Sequence, residues 1–329
     1  DGTPYDDLGE LSARIAAAAA ETGIGLTHLP VLYTYGGAGQ VPLQAGQARF
    51  GNGVDRFNAL VERAQHAVGN LPNDCRVGIA PHSLRATAPA ELADVVQAHP
   101  DVPTHIHIAE QPKEVADVSD WLGARPVEWL LANAEVTENW CLIHATHMTE
   151  VETNSLARSG AVAGLCPVTE ANLGDGPFNG PGYLAAGGRF GIGSDSNVLI
   201  SLTQELRTLE YSQRLRDLAR NVMVSDEGSV GEALYTGAAR GGAQALGRGA
   251  GEIAVGEWAD LTAIDSQDPA LCALRADQFL DGLVFAAKDR VVTDVWSAGR
   301  HAVSGGRHRQ SDDIVAGYRR AMAELTALL

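Results

Sequence analysis

The sequence predicts an α/β fold: a (β/α)8 TIM-type barrel lacking its first two βα units, followed by the remnant of a small β domain and a C-terminal helix. Three observations carry this. Six short, nearly continuous apolar runs alternate with helical periodicity, as parallel strands buried on both faces do. The βα series has no antiparallel interruption, which leaves a barrel or a doubly wound sheet. No run is followed by a GxGxxG or GxxxxGK loop, which argues against the nucleotide-binding form of the second choice. A barrel of this type has eight strands, so six apolar runs leave two unsupplied.

The strand-like runs are residues 24–33, 76–81, 102–108, 140–145, 161–166 and 190–193. Helical patterns fall at 54–68, 89–99, 127–134 and 150–159; Thr87 with Pro89 and Thr149 with Glu150 supply N-terminal helix signals. A long amphipathic helix is expected over 202–221. An Ala- and Gly-rich helix follows over 229–246. Residues 251–265 and 289–304 alternate weakly between Gly and charged breakers and read as short β segments; 312–329 reads as a last amphipathic helix. The expected division is 1–248 for strands three to eight of the barrel, 249–308 for the β portion and 309–329 for the helix. The chain starts at Asp1 with no initiator Met and enters a helical pattern at once, so it reads as a fragment of a longer enzyme.

Composition narrows the function. With 329 residues, 45% of them hydrophobic, the chain can bury a large core. Its 24 Lys+Arg against 41 Asp+Glu give a net charge of −17, the wrong sign for a nucleic-acid face. No apolar run reaches the roughly 18 residues of a membrane span. Four cysteines (Cys75, Cys141, Cys166, Cys272) are too few for a disulfide framework, which points to a reducing, cytoplasmic setting. A small-molecule substrate is the expected partner. A homodimer is the first assembly to test, being the commonest closed one.

Barrel enzymes gather their chemistry at the C-terminal strand ends, and polar residues cluster there. His82 and Arg85 follow the run 76–81. His105 and His107 lie on 102–108, with Glu110 after them. His144 and His147 close 140–145, Glu170 and Asn172 follow 161–166, and Asp195 follows 190–193. His105 and His107 share a face by period two, but only His107 stands near the end of the strand; His105 is expected to pack lower. His147 reads as exposed, Glu170 and Asn172 as loop-ordering, and Asp195 as either functional or a helix N-cap. Cys141 and Cys166 read as core residues, since no Cys-x-x-Cys pairing exists. Imidazole and carboxylate ligands suit a single zinc ion with an acidic bound water. Arg85 suits a substrate carboxylate through its planar fork.

Longer motifs sharpen this. Pro81-His82-Ser83-Leu84-Arg85-Ala86, His105-Ile106-His107-Ile108-Ala109-Glu110-Gln111, His144-Ala145-Thr146-His147, Thr169-Glu170-Ala171-Asn172-Leu173-Gly174-Asp175-Gly176 and Gly191-Ile192-Gly193-Ser194-Asp195-Ser196 resemble the formimidoylglutamate deiminases, in the deaminase branch of the amidohydrolase superfamily. The likeness runs along essentially the whole chain. It implies hydrolysis of N-formimino-L-glutamate to N-formyl-L-glutamate and ammonia, a step of histidine degradation. It implies one zinc ion, with His107 and Asp195 as ligands. Glu110, His144 and Asp195 are implied as the catalytic group. Asp195 takes the proton of the attacking water, Glu110 protonates the imine nitrogen and His144 stabilises the tetrahedral intermediate. His82 and Arg85 are implied as contacts of the glutamate portion.

The sequence departs from that family at its start. A His-x-His at the end of the first barrel strand supplies the family's other two zinc ligands, and none stands before residue 24. The chain alone is therefore expected to bind zinc poorly and to turn over little. Two other functions compete: deamination of a cyclic amidine such as a purine or pterin, and a non-catalytic binding protein on a degraded barrel. Arg85 favours an acyclic acid over the first; the absent His-x-His is the support for the second.

Overall fold

The computed structural model describes residues 3, 5–197, 199–224, 228–287 and 289–328. After α1 (Glu10–Thr22), six parallel rows of strand follow in chain order. The first row is β1 (Thr27–His28) and β2 (Val31–Leu32), interrupted at Pro30, which has no N–H for a ladder. Helix α2 (Val54–Val68) leads to the second row, β3 (Arg76–Val77) and β4 (Ala80–Pro81). That row breaks at Gly78, where a Cβ would lie 2.2 Å from the Pro103 carbonyl oxygen. The next elements are α3 (Pro89–Ala98), β5 (Thr104–Ile108), α4 (Pro112–Leu122), α5 (Pro126–Asn133), β6 (Trp140–His144) and α6 (Glu150–Ser159). Then come β7 (Val162–Leu165), α7 (Pro167–Leu173), α8 (Gly180–Ala185), β8 (Arg189–Ile192), α9 (Leu202–Asp217) and α10 (Val230–Ala245).

Pairing is sequential and parallel throughout. Val31 faces Ala80, bridges join Ile79 to Thr104 and Ser83 to His107, and β5 through β8 form one ladder. Its interior is fully buried, with Ile106, Ile108, Leu142, Ala163 and Leu165 packed on Leu92, Val118, Leu130, Leu156 and Tyr183 of the covering helices. This is the burial that near-continuous apolar strands require. Helix α10 lies hard against β8: a Cβ on Gly241 would sit 1.9 Å from the Phe190 carbonyl oxygen.

After β9 (Leu261–Ile264), helix α11 (Phe279–Phe285) precedes β10 (Val292–Ser297), β11 (Arg300–Ser304) and β12 (Arg307–His308). These four strands form an antiparallel sheet, and α12 (Ser311–Thr326) ends the chain. Strands β10 and β11 form a hairpin whose two-residue turn, Ala298-Gly299, has φ of 47° and 78°, the geometry of a type I′ turn. The sheet is tied to the parallel layer by Asp74, whose carboxylate accepts from Arg300 at 2.9 and 2.6 Å and from Arg248 at 3.1 Å.

Several expected boundaries change. The helix expected over 202–221 stops at Asp217, where Leu218 turns left-handed with φ 52°. Of the β segment expected over 251–265, only Leu261–Ile264 pairs. The segment expected over 289–304 starts with a 3-10 turn, Asp289–Val291, before it becomes the hairpin. Helices α4, α7, α8 and α11 were not anticipated. Two of them, α4 and α7, start at prolines that end the preceding strand loop, Pro112 and Pro167, and both stop at left-handed glycines, Gly123 and Gly174.

Candidate active site

The parallel register brings the C-terminal ends of neighbouring rows to one rim. Four aromatic rings line up across it. Tyr33 meets His82 edge-on at 4.6 Å, His82 stacks on His107 at 4.8 Å, and His107 lies 5.6 Å from His144. Each ring comes from a different row. The rim also holds backbone strain: Ala109, His144, Ala145 and Asp195, all non-glycine, have φ of 51°, 68°, 46° and 52°. Such left-handed residues cost on the order of 1–3 kcal/mol each and gather at functional sites.

His107 Nδ1 donates to the His82 carbonyl at 2.9 Å. That bond fixes its tautomer and leaves Nε2 free of hydrogen bonds among the described residues, the arrangement of a metal-ligating imidazole. Burial holds His107 below the ordinary histidine range, against the pull of Glu110 and Asp195. Burial also pushes His82 down to about 3, with His107 and Arg85 adding to it, so its ring is neutral. His144 goes the other way: burial would lower it, but the hydrogen bond to Glu170 and the charges of Glu110, Glu170 and Asp195 raise it.

Glu110 sits between two partners. Its Oε1 is 3.7 Å from His144 Nε2 and its Oε2 is 3.4 Å from Arg85 Nη2. Asp195 is exposed at the end of β8 and is no helix N-cap, since α9 is capped by Ser201 accepting from Gln204 N–H. His82, Arg85, His107, Glu110 and His144 are thus brought together, with Asp195 electrostatically coupled to His107 and His144.

The lesser expectations divide. His105 packs low, as expected, its Nε2 bonded to the Ala245 carbonyl at 2.8 Å. His147 is not simply exposed: it is half-buried, with Nε2 on the Asp175 carbonyl at 2.7 Å, and it orders the loop. Asn172 is exposed at the end of α7. Glu170 does more than order a loop. It is buried, accepts from Cys166 N–H at 3.0 Å, and lies 3.3 Å from His144 Nδ1. Sequence reasoning passed over Tyr33, Glu114 and Glu205. Glu114 was signalled by lying four residues after Glu110 in a Pro-initiated helix, and Glu205 by its place in the first helical turn after Asp195.

Zinc takes four ligands, nitrogen and oxygen among them. His107 and Asp195 suit it chemically as two donors. Among the described residues no group of three or more His, Cys, Asp or Glu side chains converges to hold a metal ion. They fit a zinc site as part of its donor set. A groove of about 1060 Å³ lies elsewhere, against Phe190 and Gly241 beside β8.

Comparison with known proteins places this geometry. The model of the amidohydrolase family matches residues 28–302. The chain belongs to the amidohydrolase family. This amidohydrolase is similar to a formimidoylglutamate deiminase from Pseudomonas aeruginosa, 48% identical over 327 residues, covering 99% of this chain and 72% of that protein. A 5-methylthioadenosine/S-adenosylhomocysteine deaminase from Natronomonas pharaonis is 31% identical over 249 residues, 74% of this chain and 54% of that protein. Among solved structures, an amidohydrolase from Brucella melitensis superimposes with a TM-score of 0.94 at 51% identity, over 99% of this chain and 72% of that one. An adenosine deaminase from Xanthomonas campestris with bound zinc shares the fold, with a TM-score of 0.79 at 23% identity over 96% of this chain and 70% of that one. This amidohydrolase is accordingly an enzyme, a hydrolase of carbon–nitrogen bonds with a barrel-type α/β fold.

Proposed function

We propose that this amidohydrolase hydrolyses the formimino group of N-formimino-L-glutamate, releasing ammonia and N-formyl-L-glutamate in the cytoplasm. The observation that carries the reading is Arg85, whose guanidinium stands 3.4 Å from Glu110 with its Nε unbonded. It offers a fork for a carboxylate beside a group able to protonate an imine. The name of the Pseudomonas relative supports the same substrate.

The six strand rows are read as strands three to eight of an eight-stranded barrel, and the chain beyond residue 248 as a separate β portion with a final helix. His107 and Asp195 would hold zinc, which when bound supplies a water acidic enough to be deprotonated near neutral pH. Arg85 and His82 bind and orient the glutamate end. Asp195 accepts the proton of the water that adds to the formimino carbon. His144, hydrogen-bonded to Glu170, steadies the negative charge that develops. The formimino group enters as its cation. Glu110 takes the hydroxyl proton of the tetrahedral carbon and passes it to the departing nitrogen, the carbon–nitrogen bond breaks, and ammonia leaves, picking up the proton held by Asp195.

The rival is a cyclic-amidine deaminase, favoured by the name of the Natronomonas relative. An arginine beside the acid is a poor fit to an uncharged base and a good fit to an amino-acid end. The deciding experiment is ammonia release by the protein supplied with zinc. Release from N-formimino-L-glutamate, lost in Asp195→Asn and Glu110→Ala, is expected; release from adenosine or guanine derivatives instead would discard the substrate. With His107 and Asp195 as two donors, less than one zinc per chain is expected to remain after gel filtration, read by metal analysis.

A further inference from the structure

Glu114 is buried, belongs to no part of the reaction as proposed, and stands directly behind the site. It lies in the first turn of α4, and its Oε2 accepts from the main-chain N–H of Glu110 at 2.9 Å. Its other oxygen, Oε1, is buried without a hydrogen bond and lies 3.8 Å from Arg85 Nε, itself buried and unbonded. Through the neighbouring Nη2, Arg85 reaches Glu110 Oε2 at 3.4 Å. The guanidinium thus hangs between two carboxylates, and neither contact has closed to the 2.7–2.9 Å of a charge-assisted pair.

We propose that Glu114 is a positioning residue that holds Arg85 off Glu110, keeping the guanidinium open for the carboxylate of an incoming amino-acid substrate and Glu110 free for proton transfer. The inference rests on the substrate reading above. Two like charges at nearly equal distance compete for one cation, Glu114 at Nε and Glu110 at Nη2, so each weakens the other's hold. Removing the Glu114 charge leaves Glu110 as the only carboxylate within 4 Å of the guanidinium among the described residues. Arg85 then closes on Glu110 and both are withdrawn at once, one from binding and one from chemistry. The hydrogen bond to Glu110 N–H is a separate task of the same side chain, and a glutamine performs it equally well.

Glu114→Gln therefore separates charge from scaffold. The first test is a crystal structure of the Glu114→Gln protein, which needs no ligand. The Arg85 Nη2 to Glu110 Oε2 distance is expected to shorten from 3.4 Å to about 2.8 Å; an unchanged distance overturns the proposal. The second is a double-mutant cycle on the affinity of the protein for N-formyl-L-glutamate, by calorimetry. Glu114→Gln is expected to weaken binding about tenfold in the native background and less than twofold in the Arg85→Met background, the non-additivity of coupled neighbours. Equal losses in both backgrounds would show a merely structural residue and overturn it. Should the unmutated protein bind no N-formyl-L-glutamate, the substrate reading falls, and the crystal structure still decides whether Glu114 holds Arg85 open.

Discussion

Glu170 and His144, twenty-six residues apart in sequence, meet in the buried rim with Oε1 3.3 Å from Nδ1. The contact sets the imidazole: Nδ1–H faces the carboxylate, and Nε2 is turned toward Glu110. It also explains how His144 tolerates φ 68°, since a ring held at Nδ1 and a main chain fixed by the sheet over-determine the strained residue. Glu170→Gln keeps the shape and removes the charge. Ammonia release is expected to fall by about tenfold with KM little changed, within the range that orienting carboxylates command. Glu170→Ala is expected to fall further, because it also orphans Cys166 N–H.

Glu205 lies in the same buried pocket of charge, where burial pushes its carboxyl up to about 7 and Glu170 and Asp195 add to the effect. Its Oε2 accepts from Val168 N–H at 2.8 Å while Oε1 has no partner. A raised carboxyl binds its proton more tightly folded than unfolded, so native stability falls as pH climbs from about 4.5 to about 7 and stays reduced above. Glu205→Gln cannot ionise and keeps the bond to Val168. It is expected to be more stable than the native chain by about 2 kcal/mol at pH 8 and indistinguishable at pH 4, measured by urea unfolding. A stability gap that did not change with pH would contradict the assignment.

Strand rows and the histidine positions were legible in the sequence because each depends on local order. Apolar runs mark buried strands, and a His or Asp just past such a run lands on the rim whatever the helices do. The period of two put His105 and His107 on one face, and His107 was preferred because it stands nearer the end of the strand. What the sequence hid was contact between distant segments. Glu170 read as a loop residue because nothing local says that a seven-residue helix opening at Pro167 turns it back onto His144. Glu114 was hidden in the same way by the unanticipated α4. The overlong helix at 202–221 failed for a different reason: its apolar spacing continues beyond Asp217, but Glu210, fully buried, draws the main-chain N–H groups of Val222 and Met223 back at 3.0 and 2.8 Å and turns the chain.

Asp74 shows what joins the antiparallel sheet to the parallel layer. Its carboxylate is buried, and the Arg300 fork closes on both of its oxygens while Arg248 takes one of them again. Burial alone would raise its carboxyl, but the two arginines hold it below the usual carboxylate range. The stabilisation is present above the ordinary value near 3.8 and is lost as pH falls through the lowered one. Asp74→Ala leaves Arg300 without its carboxylate and Arg248 with Asp260 alone, and about 3 kcal/mol of stability is expected to be lost at pH 7. Urea unfolding at pH 7 and pH 3 reads this directly: the difference from the native chain should shrink in acid.

Arg85 and Glu110 are 3.4 Å apart and have opposite assignments, one to binding and one to chemistry, so their variants should separate in kinetics. A charged hydrogen-bonding group lost from a carboxylate site costs about 2–3 kcal/mol, or roughly 30- to 150-fold. Arg85→Met is therefore expected to raise KM for N-formimino-L-glutamate by that factor, with a smaller change in kcat. Arg85→Lys should recover little of it, because an ammonium cannot present the planar fork to both carboxylate oxygens. Glu110→Ala removes the proposed proton donor to the leaving nitrogen, and kcat is expected to drop by about 10²–10⁴ with KM held within a few-fold. An analogue without the glutamate carboxylates, such as an N-alkylformamidine, adds a control that the two roles answer differently. It should be a poor substrate of the native enzyme and lose almost nothing further in Arg85→Met, yet lose its residual turnover in Glu110→Ala. If Arg85→Met instead abolished turnover of the truncated amidine while leaving KM for the full substrate alone, the arginine would belong to the chemistry and the carboxylate-binding role would pass to another residue of the rim.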